Sequence, residues 1–340
     1  FCNSLTGSFD YFVRTTVDMV GPAPRLPLVL GIAPAIVNNA DMKSYGFEIE
    51  LSWRDRIGEV DYGVKFNLAD AQQKVVKYPN TTNAFSDWYA GKMSGEIWGY
   101  TSLGIAKTDE EMKEHLASLP NGGQNQLGNK WGAGDIMYAD INGDGKVDGG
   151  KGTLADPGDQ RIIGNSTPRY NFGLVLDASY KGFDVSIFFQ GVGKRDYAPI
   201  VGTNGAVFWG AVNNIWQSMA MEEHFDYFRP EGHPMGANLN GYYPRPDFTS
   251  NKNHQVQTRY LQDASYIRLK NLQIGYTLPK QWINKLHINR CRVYVSGDNL
   301  WTGTSLASMF DPETLAAGDW GSGKTYPLSK VISFGLNVNF

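Results

Sequence analysis

The stretch that decides the fold is Tyr170–Phe189, YNFGLVLDASYKGFDVSIFF. Apolar and polar residues alternate one by one as far as Tyr180, and the alternation resumes at Phe183 after the link Lys181-Gly182. Because successive side chains of a β-strand point to opposite faces, this pattern predicts two strands that each have an apolar face and a polar face. The two-residue link predicts that they form a hairpin.

The same alternation recurs along the chain and predicts about eight strands, several of them longer than the usual five or six residues. In one of them, Ile267 and Leu269 are out of phase with the alternation that runs from Leu272 to Leu278. A β-bulge near Lys270 would reconcile the two phases. The predicted strands lie near residues 5–14, 47–54, 62–69, 170–180, 183–190, 267–278, 291–296 and 332–340.

The links between the predicted strands are alternately long and short. In an antiparallel meander, successive connections fall at opposite ends of the sheet, so the short links share one end and the long links share the other. Short periplasmic turns and long extracellular loops are typical of outer-membrane β-barrels. The short links are 55–59, 181–182 and 279–289, and the long ones are 20–43, 74–168, 194–258 and 303–329.

A soluble antiparallel sandwich also alternates apolar and polar residues, so alternation alone does not separate the two folds. Three features favour the membrane. The strands have about ten residues, enough to cross the apolar band when tilted. The last strand closes on an aromatic residue, Phe340, and aromatic residues recur at strand ends, where interfacial girdles lie: Tyr62, Tyr170, Tyr180, Phe183 and Tyr276. The sequence therefore predicts an all-β fold, an antiparallel up-and-down transmembrane β-barrel segment.

Composition excludes several other classes of protein. The 340 residues carry a net charge of −3, whereas a nucleic-acid-binding domain is usually basic. Two cysteines, Cys2 and Cys291, cannot form a disulfide framework or a four-ligand zinc site. The longest apolar stretch, 26–37, is interrupted by prolines and is shorter than the ~20 residues of a membrane-spanning helix. The five histidines lack ligand spacing, and the sequence has no nucleophile elbow, Walker loop or zinc-protease motif, so we expect no enzyme.

One segment has the spacing of a calcium loop. Oxygen-bearing side chains occupy the first, third, fifth and ninth positions from Asp140, and Gly145 is the sixth, as at the start of an EF-hand loop. The twelfth position is Lys151 instead of Glu, so we expect Asp159, beyond an insertion, to close the site. The alternative is an Asx-rich turn that binds nothing. The candidate ligands of a structural calcium ion are Asp140, Asn142, Asp144, the backbone carbonyl of Lys146, Asp148 and Asp159.

Eight segments, spread in order along nearly the whole chain, form a recognisable set: GDIMYADINGDGKVD at 134–148, DQRIIGN at 159–165, PRYNFG at 168–173, YKGFDVSIFFQG at 180–191, DASYIRLKNL at 263–272, GYTLP at 275–279, SGDNL at 296–300 and YPL at 326–328. Together they resemble the SusC/RagA family of TonB-dependent outer-membrane transporters. The chain departs from the family in the insertion between Asp148 and Asp159, where the family more often has a short link. This departure leaves the last metal ligand open.

This resemblance implies that residues 1–340 are the C-terminal part, about eight strands, of a 22-stranded barrel in the bacterial outer membrane. Residues 74–168 would be a long extracellular loop that carries the calcium motif. Family members occur in Bacteroidetes-type bacteria and import oligosaccharides, or in some cases peptides. They work with a SusD-like surface lipoprotein as a lid, and the TonB complex supplies energy through the N-terminal region. No segment here resembles the N-terminal plug or the TonB box, so we expect the chain to be a piece of a longer protein.

Aromatic side chains in the long loops could stack on sugar rings or pack against the lid. We expect most of them to be loop core or lid contacts, and the sequence does not predict the substrate. The competing interpretation is a secreted calcium-binding β-domain that binds glycans, which predicts apolar strand faces buried in a dry interior. The aromatic candidates are Trp88, Tyr89, Trp98, Trp131, Trp209, Trp216, Tyr242 and Tyr243.

Overall fold

In a computed structural model of the chain, residues 4–23, 29, 31, 35–199, 222–246, 252–315 and 325–340 are described. The helices are α1 (Asp109–Ala117) and α2 (Lys280–Ile283), with short 3-10 turns at Glu222–Phe225 and Asn284–Leu286. In this part of the chain, no helix is long and apolar enough to cross a membrane. The strands are β1 (Leu5–Val20), β2 (Asn38–Ile57), β3 (Val60–Lys77), β4 (Glu96–Gly99), β5 (Ser102–Ile105), β6 (Ile136–Tyr138), β7 (Arg161–Asn165), β8 (Arg169–Tyr180), β9 (Phe183–Lys194), β10 (Asp196–Tyr197), β11 (Gln262–Asp263), β12 (Tyr266–Thr277), β13 (Arg290–Thr304) and β14 (Val331–Asn339).

Eight strands form one antiparallel sheet in the order β1-β2-β3-β8-β9-β12-β13-β14. Neighbours in the sheet follow one another along the chain, as in an up-and-down meander. The predicted hairpin is confirmed, because β8 and β9 pair as far as Tyr180 and Phe183. The predicted bulge is also confirmed: the register of β12 shifts between Leu269 and Asn271 against both β9 and β13.

The connections at the two ends of this sheet differ as the sequence predicts. Two of the short links are tight turns, 58–59 and 181–182, and the third, 278–289, contains α2. At the opposite end the strands are joined through 21–37, 78–168, 195–265 and 305–330. All strands smaller than the main eight belong to these long connections, so the loops have structure of their own.

Most apolar residues of the main strands share one face of the sheet, because residues directly opposite each other in an antiparallel pair lie on the same side. Val175 and Phe188 are exceptions and face each other on the polar side. None of the residues in the two central rows is buried, and at the sheet edges Phe9 is 66% and Phe334 85% exposed. A soluble sandwich would cover such a face with a second layer. One row runs Leu51, Phe66, Leu174, Phe189, Leu269, Trp301, and the next runs Trp53, Val64, Leu176, Ile187, Leu272.

The hydrophobic core lies in the long connections instead of on the sheet. In the long connection 78–168, β5 pairs with β6 and β4 pairs with β7. In the long connection 195–265, β10 pairs with β11, which lies just before the start of β12. The loops therefore pack on one another at one end of the sheet. The buried cluster is Tyr100, Leu119, Ile136, Tyr138, Val147, Tyr197, Tyr243, Tyr260, Ala264, Leu306, Phe310 and Leu315.

The two outer strands of the sheet, β1 and β14, do not pair with each other in the described part of the chain. A small eight-stranded barrel would require that pairing. The sheet is therefore open along β1 and β14, and unpaired strand edges are not tolerated in lipid.

Candidate functional site

The polar face of the sheet carries charged residues that pair across strands. Arg292 on β13 donates from Nε to Oδ2 of Asp184 on β9 at 2.8 Å, and its Nη2 also contacts the same carboxylate. Nη2 donates to Oε1 of Gln273, on the strand between them, at 3.0 Å. The guanidinium lies 4.9 Å from the ring centroid of Tyr294. The polar face is therefore lined by an ordered hydrogen-bonded group able to meet polar ligands.

A second group ties the loop end of β12 to the last long connection. Arg268 donates to Asp311 at 2.7 Å and to Glu313 at 2.9 Å, and Lys270 donates to Glu313 at 2.9 Å. Arg268 and Asp311 are almost completely buried. Because breaking a buried pair leaves an uncompensated charge, this group fixes residues 311–313 against the sheet.

A third group joins the long connections 78–168 and 195–265 around the buried carboxylate of Asp135. Arg245 donates from Nε to Oδ1 at 2.8 Å and from Nη2 to Oδ2 at 2.6 Å. Lys252 donates to Oδ2 at 2.8 Å, and Asn253 donates to Oδ1 at 2.9 Å. The amide of Gly132 adds a bond at 2.9 Å. The two loops therefore have a fixed relative position at this point.

The candidate calcium loop is folded by bonds from its own side chains to its backbone. Asp140 accepts from the amides of Gly143 at 2.7 Å and Gly145 at 2.8 Å. Asn142 accepts from the amide of Asp144 at 3.0 Å. Gly145 has a φ of +80°, a conformation that glycine adopts without strain. The glycine at the sixth position thus permits the turn that the spacing predicts.

Asp159 closes this loop through hydrogen bonds to backbone amides. Its Oδ1 accepts from Ile141 at 2.7 Å, and its Oδ2 accepts from Asp148 at 2.8 Å. In return, the amide of Asp159 donates to the carbonyl of Asp148 at 2.9 Å. Burial of the side chain raises the pKa of the Asp159 carboxyl. The structure therefore brings Asp159 to the two ends of the motif, from across the insertion.

The position between the remaining carboxylates is taken by an ammonium group. The Nζ of Lys146 lies 2.5 Å from Oδ2 of Asp148 and 3.9 Å from Oδ2 of Asp144. The bond from Lys146 holds the pKa of the Asp148 carboxyl below its usual range. Within the described ranges, no three Asp, Glu, His or Cys side chains converge as a metal ion requires. The geometry shown is that of an Asx-rich turn, and calcium binding stays a prediction.

Three aromatic candidates lie together in the long connection 78–168. The hydroxyl of Tyr89 donates to Glu96 at 2.5 Å, and the ring of Trp98 stacks on Phe85 with centroids 4.5 Å apart. Trp88 is half-buried on the same segment. These side chains pack on their own loop, as expected for most of the candidates.

The other aromatic candidates lie in or beside the loop core. Tyr243 is buried within it, and Trp131 and Tyr242 pack against it. Trp209 and Trp216 lie outside the described residues. The structure thus places the described candidates in two separate groups, and their contact with a ligand or a lid stays a prediction.

Sequence reasoning missed the buried group around Asp135. Asp135 belongs to the segment that resembles the transporter family, but its partners Arg245 and Lys252 lie more than a hundred residues away. Neither partner has a local spacing that would reveal the contact. Only the folding of two loops onto one another brings the three residues together.

Comparison with known proteins shows which proteins this chain is similar to. No family model matches the chain. TonB-dependent receptor P3 of Formosa agariphila is 28% identical over 370 residues, covering 100% of the chain and 33% of the relative. TonB-dependent receptor P26 of the same organism is 28% identical over 364 residues, with the same coverage. The chain resembles TonB-dependent receptors over its whole length.

Solved structures of the RagAB peptide transporter show the same fold. One matches with a TM-score of 0.68 and 23% identity, covering 100% of the chain and 34% of the neighbour. The RagAB peptide importer in its open-open state matches with a TM-score of 0.67. The predicted resemblance, the barrel fold and the outer-membrane location of a TonB-dependent receptor are thereby confirmed.

The chain spans about a third of the length of the relatives it matches. The names of these proteins are those of receptors and transporters, which fits the prediction that the chain is not an enzyme. A location in the outer membrane also accounts for the exposed apolar face of the sheet, since that face would then meet lipid.

Proposed function

We propose that the chain forms the C-terminal wall of an outer-membrane transporter that imports nutrient molecules. The observation that carries this proposal is the division of the sheet into an exposed apolar face and a polar face with paired charges. In a closed barrel the first face would meet lipid and the second would line a channel. The open edges at β1 and β14 would pair with the other strands of the same barrel.

The partners in this proposal are a SusD-like surface lipoprotein and the TonB complex. The long loops pack into a body of their own at one end of the sheet, which is the surface that a lid would cover. The matched structures carry the name RagAB, which supports a two-component assembly. TonB would act through the N-terminal region of the whole protein, and the names of the relatives support this energy source.

The substrate class in this proposal is an oligosaccharide or a peptide. The name of the RagAB peptide transporter supports peptides, and the aromatic pool in the loops is suited to sugar rings. The competing interpretation, a secreted calcium-binding domain that binds glycans, requires a dry interior behind the apolar strand faces. The exposure of Phe9 and Phe334 favours the transporter.

Transport is tested by deleting the gene in its host and measuring uptake of fluorescent oligosaccharides and peptides of graded length. We expect one class to lose uptake in the deletion strain and to regain it on complementation. A strain that lacks TonB should show the same loss. Unchanged uptake of both classes, together with recovery of the protein from the soluble fraction, would refute the transporter.

We also propose that loop 140–159 binds a calcium ion in a structural role. The spacing of Asp140, Asn142 and Asp144 and the conformation of Gly145 support this proposal. The ammonium of Lys146 between two carboxylates indicates that the place suits a cation. A calcium ion would have to replace that ammonium group and draw the carboxylates from their backbone partners.

A further inference from the structure

The link between β12 and β13 lies in an unusually basic part of the chain. Residues 264–297 contain six Lys or Arg residues and no Asp or Glu. Arg268 and Lys270 pair with Glu313 at the loop end of the sheet, and Arg292 pairs with Asp184. The three cations at the link itself, Lys280, Lys285 and Arg290, have no acidic group within 4.0 Å among the described residues.

The other two links at this end of the sheet differ in this respect. Arg56 lies 3.6 Å from Asp61, and Lys181 pairs with Glu59 at 2.7 Å, so each exposed cation there has an acidic neighbour. At the β12–β13 link, by contrast, Lys280 and Lys285 have no acidic group within 4.0 Å in the described part of the chain. Arg290 acts on the carboxylate of Asp184 only from beyond that distance.

This link packs against the apolar face of the sheet. α2 contacts β13, and its residue Ile283 is buried. Cys291 pairs with Val338 on the apolar face and is only 8% exposed, whereas Val293, two residues along the same face, is 42% exposed. Another part of the chain therefore covers Cys291 but does not cover Val293. The neighbouring helix α2, which contacts β13, is positioned to cover Cys291.

The link also presents a tryptophan beside the aromatic ends of the strands. Trp282 is 65% exposed. Phe183 and Tyr276, which face each other across β9 and β12, have ring centroids 4.5 Å apart at the same end of the sheet. Tyr180, on the same apolar face, is exposed as well. Trp282 is thus an exposed tryptophan at the same end of the sheet as these aromatic side chains.

We propose that the β12–β13 link binds the headgroups of anionic phospholipids in the leaflet at this end of the barrel. Tryptophan is favoured at the membrane interface, and lysines reach past apolar surface to place their charge among headgroups. Clusters of cations next to a membrane segment attract anionic lipids. An acidic protein partner would pair with the lysines, but it would not account for the exposed Trp282 at the same end of the sheet as the exposed Tyr180 and Phe183, which favours lipid. This inference rests on the location of the sheet in the membrane and not on what the barrel carries.

The experiment uses the intact protein that contains this chain, placed in nanodiscs of phosphatidylcholine with or without phosphatidylglycerol. Hydrogen exchange of the amides in 280–289 is measured in each bilayer. We expect phosphatidylglycerol to slow this exchange and high salt to abolish the effect. Since each lysine near an anionic surface contributes about a fivefold preference, K280Q and K285Q should each raise the phosphatidylglycerol content needed for half-maximal protection by about fivefold.

Two controls make the result specific. Lys181→Gln, which removes the cation of the neighbouring link, should leave the protection unchanged, and unaltered exchange in Tyr266–Thr277 shows that each variant is folded. Trp282→Ala should weaken protection in both bilayers. Equal exchange with and without phosphatidylglycerol would overturn the proposal. So would protection produced by inorganic phosphate in detergent, or protection that requires an added acidic peptide.

Discussion

The Nζ of Lys252 lies 2.8 Å from Oδ2 of Asp135, and both side chains are almost completely buried. They belong to different long loops, 117 residues apart in the chain. The same ammonium lies 5.3 Å from the ring centroid of Trp131 and donates to the carbonyl of Lys130 at 3.1 Å. This buried pair therefore fixes connection 195–265 to connection 78–168.

We expect Asp135→Asn to loosen the contact between the two loops. The amide keeps the shape of the side chain but leaves the charge of Lys252 buried without its counter-ion, which costs about 3–5 kcal/mol. Limited proteolysis of the intact protein should cut at 245–253 faster in the variant. Lys113→Gln on the exposed side of α1 serves as the matched control. Equal cleavage of D135N and K113Q would show that the pair does not hold the loops.

Local features of the fold could be predicted from the sequence, and distant contacts could not. Alternation along Tyr170–Tyr180 predicts a strand because successive side chains of a strand lie on opposite faces. The break in the alternation near Lys270 predicts a bulge, because an extra residue shifts the following side chains to the other face. By contrast, Asp135 and Lys252 meet only because two loops fold together. The short strands β4–β7 were also missed, since runs of three to five residues carry too little periodicity to be seen.

The candidate metal site was only partly predictable for a related reason. The spacing from Asp140 indicated a tight loop, and the conformation of Gly145 agrees with it. The spacing of the oxygen-bearing residues does not reveal which group each carboxylate binds. The carboxylates of Asp140 and Asp159 accept hydrogen bonds from backbone amides, and the carboxylate of Asp148 pairs with the ammonium of Lys146. Hydrogen bonds from side chains to the backbone and metal ligation use the same residue types, so the sequence alone does not distinguish an Asx-rich turn from a metal site.

We expect calcium to protect loop 140–159 from proteolysis, and EDTA to remove the protection. Asp144→Ala deletes a candidate ligand whose carboxylate accepts only two long hydrogen bonds in the turn, each of 3.2 Å, from the amide of Lys146 and the side chain of Asn142. The variant should lose the calcium effect while keeping its protease pattern in EDTA. Lys151→Ala, at the exposed twelfth position, is the control. If calcium changes nothing in the unaltered protein, or protects D144A equally, the loop is an Asx-rich turn without a metal.

The packing of α1 should weaken in mild acid. His115 Nε2 lies 3.2 Å from Oε1 of Gln124, a fully buried side chain that also accepts from the amide of Tyr138 at 3.0 Å. Burial lowers the pKa of His115 below the ordinary 6.5. The folded loop therefore resists protonation more than the unfolded chain, so this stability is present above pH 6.5 and is lost as the pH falls through the lowered pKa.

This loss can be measured by hydrogen exchange of α1 after correction for the intrinsic rate at each pH. Protection of Asp109–Ala117 should fall between neutral and acid pH in the unaltered protein. His115→Gln removes the titrating group and should flatten the dependence. A profile that falls equally in H115Q would assign the acid sensitivity to another group.

The orientation of the sheet can be tested with two adjacent residues of β9. Ile187 lies on the apolar face, opposite Leu272, and Ser186 lies on the polar face, opposite Gln273. If the apolar face meets lipid, Ile187→Arg places a charge in the bilayer and should cost about 2–4 kcal/mol near the midplane. Ser186→Arg adds the same side chain to the channel side and should cost much less. Urea unfolding of the intact barrel in lipid, followed by its mobility on unheated gels, measures both variants. Greater destabilisation by S186R than by I187R would mean that the two faces are assigned the wrong way round.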